Sequence, residues 1–237
     1  MPIFRMLVKL GLILVVASAS FVTHAISFTP IEMDFAPTGR GSTQIFRLEN
    51  TTPEPVAVEI SMKSRLMKLN GEDDLQDAED QFNVFPSQVV MQPGQVQSVR
   101  VQYIGPAALD RERAFRLIAE QLPIDVGQAP SNGGRMRLLV KYVASVYVLP
   151  SNLKAILSIT KLEVVDGKWL AITMQNQGKT RKILKNISLD IGSVSLSSLD
   201  LKGLEGENIL ADTIREFRVP MPAQPIDLKA AVRIKLL

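Results

Sequence analysis

The side chains that most often perform covalent and metal chemistry in proteins are nearly missing from this sequence. It contains no cysteine and one histidine, His24, which lies in the apolar amino-terminal segment. Ser–His–Asp catalysis, Cys–His catalysis and most zinc sites need an imidazole or a thiolate. We therefore expect no cofactor and no metal site, and we expect that the protein is not an enzyme.

Carboxylates are the remaining groups with catalytic potential. Paired acids hydrolyse glycosides when two of them face each other across a pocket. Here the densest acidic segment, residues 72–81 (EDDLQDAEDQ), has six acidic side chains and no basic one. That composition predicts a solvated loop, with an acidic docking patch as the alternative. A hydrolase is therefore not favoured.

Residues 1–25 have the order of a secretory signal peptide. Arg5 and Lys9 precede an apolar run at residues 10–17, and small residues follow. This run is shorter than the roughly 20 apolar residues of a membrane-spanning helix. We predict cleavage after Ala25, with cleavage after Ala19 as a second candidate and an uncleaved anchor as the alternative. The mature protein is then expected in the periplasm, without insertion into the membrane.

The charge balance of the mature chain argues against a nucleic-acid partner. Without residues 1–25, the chain has 25 basic and 24 acidic side chains. Proteins that bind nucleic acid usually carry a basic excess or a basic stripe. Because there is no cysteine, an exported fold has no disulfide bonds and must rest on burial and hydrogen bonding.

The hydropathy pattern that must position any binding residues is that of short β-strands. Val99, Val101 and Tyr103 alternate with polar residues, and a second alternation runs over residues 56–62. A period of two residues is typical of half-buried strands. Turn-forming pairs such as Pro93-Gly94 separate these runs, which predicts an all-β sandwich or barrel.

Two domains are predicted, one at residues 26–150 and one at residues 151–237. A long apolar stretch, residues 136–150 (MRLLVKYVASVYVLP), ends at Pro150, and the strand pattern restarts at Ile156. The length of each part suits a small domain. We find no internal repeat in the sequence.

Two segments inside the first domain are predicted to lie outside strands. Residues 106–113 (PAALDRER) begin with proline and contain good helix formers, which predicts a short helix. Residues 125–134 (DVGQAPSNGG) are rich in turn-forming residues, which predicts a loop.

An ordered series of motifs resembles a known family. Within residues 82–113, Phe85-Pro86 precedes a short strand. Pro93-Gly94 then forms a turn that leads into the strand containing Val99-Arg100, and Asp110-Arg111-Glu112 follows that strand. A further strand over residues 114–122 then closes with Pro123. This series is similar to the periplasmic pilus-assembly chaperones of chaperone–usher systems. The resemblance is good over residues 80–150 and fair over 26–70, and no motif is recognised over 155–237.

The resemblance implies two immunoglobulin-like β-sandwich domains in an L-shaped or boomerang-shaped arrangement. It also implies a periplasmic chaperone that binds pilus or fimbrial subunits and delivers them to an outer-membrane usher. Such subunits lack one strand, and the chaperone lends a strand whose backbone completes the subunit's sheet. Whether the free chaperone caps itself as a dimer stays open.

The lent strand is expected within residues 136–150. Leu138, Val140, Tyr142 and Ala144 would then contact the subunit, although a slip of one residue would exchange the two faces. The alternative interpretation is an ordinary core strand that is buried on both faces.

The family's best-studied branch holds the subunit's terminal carboxylate with two basic residues. At the corresponding positions this sequence has Glu32 and Ser145, and neither can hold a carboxylate by charge. Arg116 and Lys141 are candidate replacements, because they interrupt apolar runs in two strands expected to pair as a hairpin. The alternatives are that both simply face solvent, or that the fold serves as a structural or adhesive module without chaperone activity.

Overall fold

A computed structural model describes residues 26–123 and 138–236 of the chain. Within these ranges the chain forms eighteen strands and two short 3-10 turns and no α-helix. The first ten strands are β1 (Ile26–Thr29), β2 (Glu32–Phe35), β3 (Thr43–Asn50), β4 (Val56–Met67), β5 (Asp73–Asp77), β6 (Phe82–Phe85), β7 (Gln88–Met91), β8 (Val96–Tyr103), β9 (Arg113–Leu122) and β10 (Lys141–Val148). The other eight are β11 (Leu157–Val165), β12 (Trp169–Asn176), β13 (Lys182–Ile183), β14 (Ile187–Ile191), β15 (Val194–Leu196), β16 (Asn208–Ile209), β17 (Thr213–Pro220) and β18 (Val232–Leu236). The 3-10 turns are Arg40–Ser42 and Glu79–Gln81.

The first sandwich consists of two sheets that enclose one core. One sheet has the order β1-β3-β8-β6, and the other has the order β2-β10-β9-β4-β5, with β7 also paired to β4. The alternation predicted for β4 and β8 is confirmed, because its apolar positions are buried, namely Val56, Val58, Ile60 and Met62 of β4 and Val99, Val101 and Tyr103 of β8. Phe82 lies at the centre of the core, where its ring makes edge contacts with Phe35, Tyr103 and Phe115.

The second sandwich has a separate core built from smaller sheets. A three-stranded sheet, β11-β12-β17, faces another with the order β15-β14-β18, and β13 pairs with β16. Alternate residues of β12 (Leu170, Ile172 and Met174) are fully buried and pack with Leu189 and Phe217. The residues of this core follow residue 156, whereas those of the first core precede residue 149.

The same buried asparagine arrangement occurs in both sandwiches, although no sequence repeat predicts it. Asn50 ends β3 and Asn176 ends β12, and both are fully buried. The side-chain amide of each donates to the carbonyl oxygen four residues later and to a carbonyl of another strand. The side-chain oxygen of each accepts the N–H two residues later. Each asparagine thereby ties the end of a central strand to a strand of another sheet.

Two local predictions were wrong. Residues 72–81 contain strand β5 and a 3-10 turn, because their carboxylates pair with cations on neighbouring strands. Residues 106–113 form no helix, because this segment contacts the second sandwich, where the N–H of Glu112 donates to the carbonyl of Lys179 at 2.8 Å. The loop predicted at residues 125–134 lies outside the described residues.

Candidate functional site

Strand β10 has two strand neighbours along only half of its length. It pairs with β9 throughout, from Lys141 opposite Glu120 to Val148 opposite Arg113. It pairs in parallel with β2 only from Ser145 onward. Among the described residues, residues 141–144 (the free half) therefore have a strand on one side, whereas residues 145–148 (the paired half) have strands on both. The open side of the free half can accept a further strand.

The four side chains predicted to contact the subunit, those of residues 138, 140, 142 and 144, lie in different environments. Ala144 is fully buried in the first core, and Tyr142 packs against that core from the same face. Leu138, by contrast, is 80% exposed. Val140 is half-buried, and its carbonyl accepts the N–H of Gln121 at 2.9 Å. The hairpin of β9 and β10 therefore extends at least to Val140.

A polar row crosses the outer face of the larger sheet at the level of Ser145. The register places five residues side by side on β2, β10, β9, β4 and β5. In that order they are Glu32, Ser145, Arg116, Lys63 and Asp77. The two positions that lack the family's cations are thus direct neighbours, and Arg116 lies on the adjacent strand.

Arg116 is held by two partners on the outer face. Its Nε donates to Asp73 Oδ2 at 2.7 Å, and its guanidinium also donates to the hydroxyl of Ser145. Asp77, at the end of the same row, pairs with Lys63, and this hydrogen bond raises the pKa of the lysine despite some opposing desolvation. The row therefore contains two cations, and carboxylates from β5 hold both of them.

The two candidate carboxylate anchors, Arg116 and Lys141, lie on paired strands but not side by side. Lys141 is opposite Glu120, with which it forms an exposed ion pair at 3.1 Å, and Arg116 is opposite Ser145. The antiparallel register offsets them by four positions along the strands, a distance of roughly 13 Å. Each cation pairs with a different carboxylate, so the two do not form one paired site in this structure.

Arg181, a residue that the sequence analysis missed, reaches this region from the second sandwich. Its guanidinium pairs with Glu112 at 2.8 Å, Asp34 at 2.9 Å and Glu32 at 3.3 Å. It also lies over the ring of Tyr147, 3.6 Å from the ring centre. Burial acts to lower the pKa of Arg181, but the charges of Glu112 and Asp34 outweigh it, and the pKa is raised. Glu32 is thus part of a cluster around one arginine.

A second group of ion pairs links the sandwiches beside this cluster. Asp110 contacts Arg111 and Lys179, and Arg111 also pairs with Asp212 of the second sandwich. The hydrogen bonds from Arg111 and then Lys179 lower the pKa of the exposed Asp110 carboxyl. When the Arg181 cluster is included, acids of the first sandwich and cations of the second supply most of the ion pairs between the sandwiches, and no local sequence pattern marks them.

Residues 26–123 and 138–236 contain no candidate metal site and no candidate membrane-spanning helix. No group of three or more histidine, cysteine, aspartate or glutamate side chains in these ranges is arranged to hold a metal ion. The same ranges contain no helix with the length and apolarity needed to cross a bilayer.

Solved structures of fimbrial chaperones share this fold. The structure described as a chaperone–tip adhesin complex of CFA/I fimbriae biogenesis matches with a TM-score of 0.60 at 19% identity, over 90% of this chain and 95% of that one. The class 5 fimbriae chaperone CfaA matches with a TM-score of 0.59 at 18% identity, over 90% and 98%. The CsuC–CsuE complex of Acinetobacter baumannii matches with a TM-score of 0.61 at 14% identity, over 89% and 97%.

These likenesses show the fold, which is that of two immunoglobulin-like β-sandwich domains. Among curated protein sequences, none matches the chain. The family model of the pili and flagellar-assembly chaperones, PapD N-terminal domain, matches residues 36–154, which is half of the chain. The chain therefore belongs to the family of pilus-assembly chaperones, which are binding proteins and not enzymes.

Proposed function

We propose that this protein binds pilus or fimbrial subunits by strand donation from β10 and delivers them to an outer-membrane usher. The observation that carries the proposal is the free half of β10, which has a strand neighbour on one side only. Two solved structures of this fold are complexes of a chaperone with a tip adhesin or tip adhesion subunit. Together, the edge and the family support a subunit as the partner.

Backbone hydrogen bonds would supply the first part of the interaction. A strand that pairs with the open side of residues 138–144 extends the sheet beyond β2, which begins only opposite Ser145. Strand addition of this kind gains affinity from main-chain bonds and specificity from alternate side chains. Release requires no nucleotide, because a subunit strand that fits better can replace the chaperone strand.

Side chains of the same segment would supply the second part. Leu138 is exposed, and Val140 and Tyr142 follow on the same side of the alternation. The buried Ala144 packs inside the first core, so its side chain does not reach a subunit in this conformation. We therefore assign subunit contact to Leu138, Val140 and the accessible part of Tyr142.

Arg116 and Lys141 stay the proposed cations for acidic groups of the subunit, each acting alone. Arg116 adjoins Ser145 and Glu32, where the resembling family places its carboxylate anchors. Lys141 lies in the free half, half-exposed beside Glu120. Replacement of either cation by glutamine should lower the amount of subunit that copurifies, and unchanged amounts in both variants would rule out this role.

The proposed place of action is the periplasm. Residues 1–25 would direct export and be removed, and the mature protein would act in the periplasm as two domains that divide near Pro150. The near-neutral charge of the mature chain and the absence of cysteine are compatible with this setting. Amino-terminal sequencing of the exported protein would test cleavage after Ala25.

Coexpression with a fimbrial subunit encoded beside this gene tests the function. The subunit should be degraded or insoluble alone, and soluble and copurified when this protein is present. The double variant L138D/V140D should lower copurification by about tenfold, because it places charges against an apolar groove. The matched control is Leu199→Asp, since Leu199 is 78% exposed in the second sandwich.

Two results would contradict the proposal. The first is a subunit that folds and stays soluble without this protein. The second is wild-type copurification by L138D/V140D. Either result would favour the alternative, a structural or adhesive module.

A further inference from the structure

A single carboxylate, that of Asp73, bridges two guanidinium groups on the outer face of the first sandwich. Asp73 Oδ1 accepts from Arg65 Nε at 2.5 Å, and Asp73 Oδ2 accepts from Arg116 Nε at 2.7 Å. The Arg116 Nη2 atom also lies 2.7 Å from the same oxygen. Asp73 therefore occupies one of the forks that Arg116 can offer a carboxylate, the one formed by Nε and Nη2.

The position of Asp73 follows from the hairpin of β4 and β5. Asp73 is opposite Met67 in that hairpin, beside the turn that joins the two strands. At the turn, the carbonyl of Leu69 accepts the N–H of Glu216 from the second sandwich at 2.7 Å. Gly71 has a φ of +84°, and a Cβ there would lie 2.3 Å from Arg215 Nε. A side chain at position 71 would strain the backbone and require the Arg215 guanidinium to move, so glycine suits this contact between the hairpin and the second sandwich.

Arg116, the cation that Asp73 holds, lies beside Ser145 and near Glu32, the two positions that correspond to the carboxylate anchors of the resembling family. Arg116 contacts Ser145, and Ser145 is beside Glu32. A guanidinium binds a side-chain carboxylate and a chain-terminal carboxylate through the same pair of N–H donors. Since Asp73 already takes the Nε and Nη2 atoms, a second carboxylate cannot take the same fork at the same time.

We infer that Asp73 is an internal ligand of the Arg116 site and that the terminal carboxylate of a bound subunit displaces it. This inference rests on the proposed function. The site consists of Arg116 and Ser145, with Arg65 behind them, and its ligand class is a peptide's terminal carboxylate. After displacement, Asp73 keeps its contact with Arg65, which is the more buried of the two arginines, with 5% of its side chain exposed against 17%.

Competition of this kind weakens the apparent affinity by the fraction of molecules in which the site is open. If Asp73 holds Arg116 in about nine molecules of ten, the apparent Kd for a carboxylate is about tenfold higher than the intrinsic value. Removal of the Asp73 charge should therefore lower the apparent Kd by about tenfold, to the intrinsic value. A ligand that uses only the free half of β10 should gain nothing.

The test uses a synthetic ten-residue peptide of alternating valine and threonine, once with a free carboxyl terminus and once as the amide. Titration calorimetry should show that Asp73→Asn binds the free acid about tenfold more tightly than the wild type does and binds the amide equally. The matched control is Asp77→Asn, which removes the same charge from the same strand but contacts Lys63. That variant should bind both peptides as the wild type does.

Loss of Asp73 leaves Arg65 buried without its charge partner, so the fold of the variant is checked by circular dichroism. If Asp73→Asn is unfolded, the double variant R65Q/D73N removes both charges and keeps Arg116. Equal affinity of the folded variant and the wild type for the free acid, including no binding by either, overturns the inference. Subunit copurification by the wild type tests the proposed function separately, so the two failures are distinguishable.

Discussion

The two halves of β10 share one alternating pattern but lie in different surroundings. In the paired half, Tyr147 points outward and is nevertheless buried, because Arg181 covers its ring and Asn208 donates to its hydroxyl at 3.2 Å. In the free half, Val143 points to the same face and is 45% exposed. The second sandwich and β2 thus cover one half of the strand and leave the other half open. The neighbours, and not the strand itself, create the binding edge.

The largest effect expected from this comparison concerns stability. Tyr147→Ala should lower the free energy of unfolding by about 3–5 kcal/mol, as is usual when a large buried aromatic side chain is truncated. Val143→Ala should cost less than about 1 kcal/mol, because that side chain is already half in water. Urea unfolding followed by circular dichroism measures both. Equal losses would mean that the two halves are not different in packing.

A smaller effect is expected from Arg181, which covers the paired half. Arg181→Gln leaves the carboxylate of Glu112 buried without its cation, with 1% of that side chain exposed. Breaking such a pair costs about 3 kcal/mol. The control Arg218→Gln affects only an exposed pair with Glu216, worth less than about 1 kcal/mol. Calorimetric unfolding compares them, and a loss for Arg181→Gln no larger than the control's would contradict the role of the cluster.

The smallest effect is a pH dependence of the contact between the sandwiches. The pKa of Asp110 is lowered from 3.8 by its hydrogen bonds to Arg111 and Lys179. A lowered folded pKa means that the contribution to stability is present above 3.8 and is lost as pH falls through the folded pKa. Melting temperatures between pH 2 and pH 5 should therefore fall less steeply for Asp110→Asn than for the wild type. Identical slopes would show that this carboxylate contributes nothing.

Much of the framework could be predicted from the sequence, because strand alternation is a local signal. The buried positions of β4 and β8 and the hairpin of β9 with β10 follow from patterns within about ten residues. The candidate site was harder to predict, because the residues that pair with Glu32 and Arg116 come from distant segments of the chain. In the sequence Glu32 is an acid at a position where it cannot hold a carboxylate, whereas in the fold Arg181 binds it from the second sandwich. No pattern around residue 32 indicates that partner.

The acidic segment at residues 72–81 is a second case in which the partners of charged residues lie outside the local sequence. Six acids in residues 72–81 predict a loop when they are considered alone, because no local cation balances them. In the fold, Asp73 and Asp77 pair with cations on β4 and β9 and help to hold β5 at the sheet edge. Pairing with cations on other strands, whether on the adjacent β4 or the distant β9, is not visible in the composition of one segment.

Hydrogen exchange on β10 tests the central claim most directly. Backbone amides of Lys141 and Val143, which face the open side of the free half, should exchange quickly in the free protein and become protected when a copurified subunit is bound. Amides of residues 145–148 should be protected in both states, because β2 and β9 already flank them. Subunit binding that leaves the amides of Lys141 and Val143 unprotected, with new protection elsewhere, would contradict strand donation from this edge.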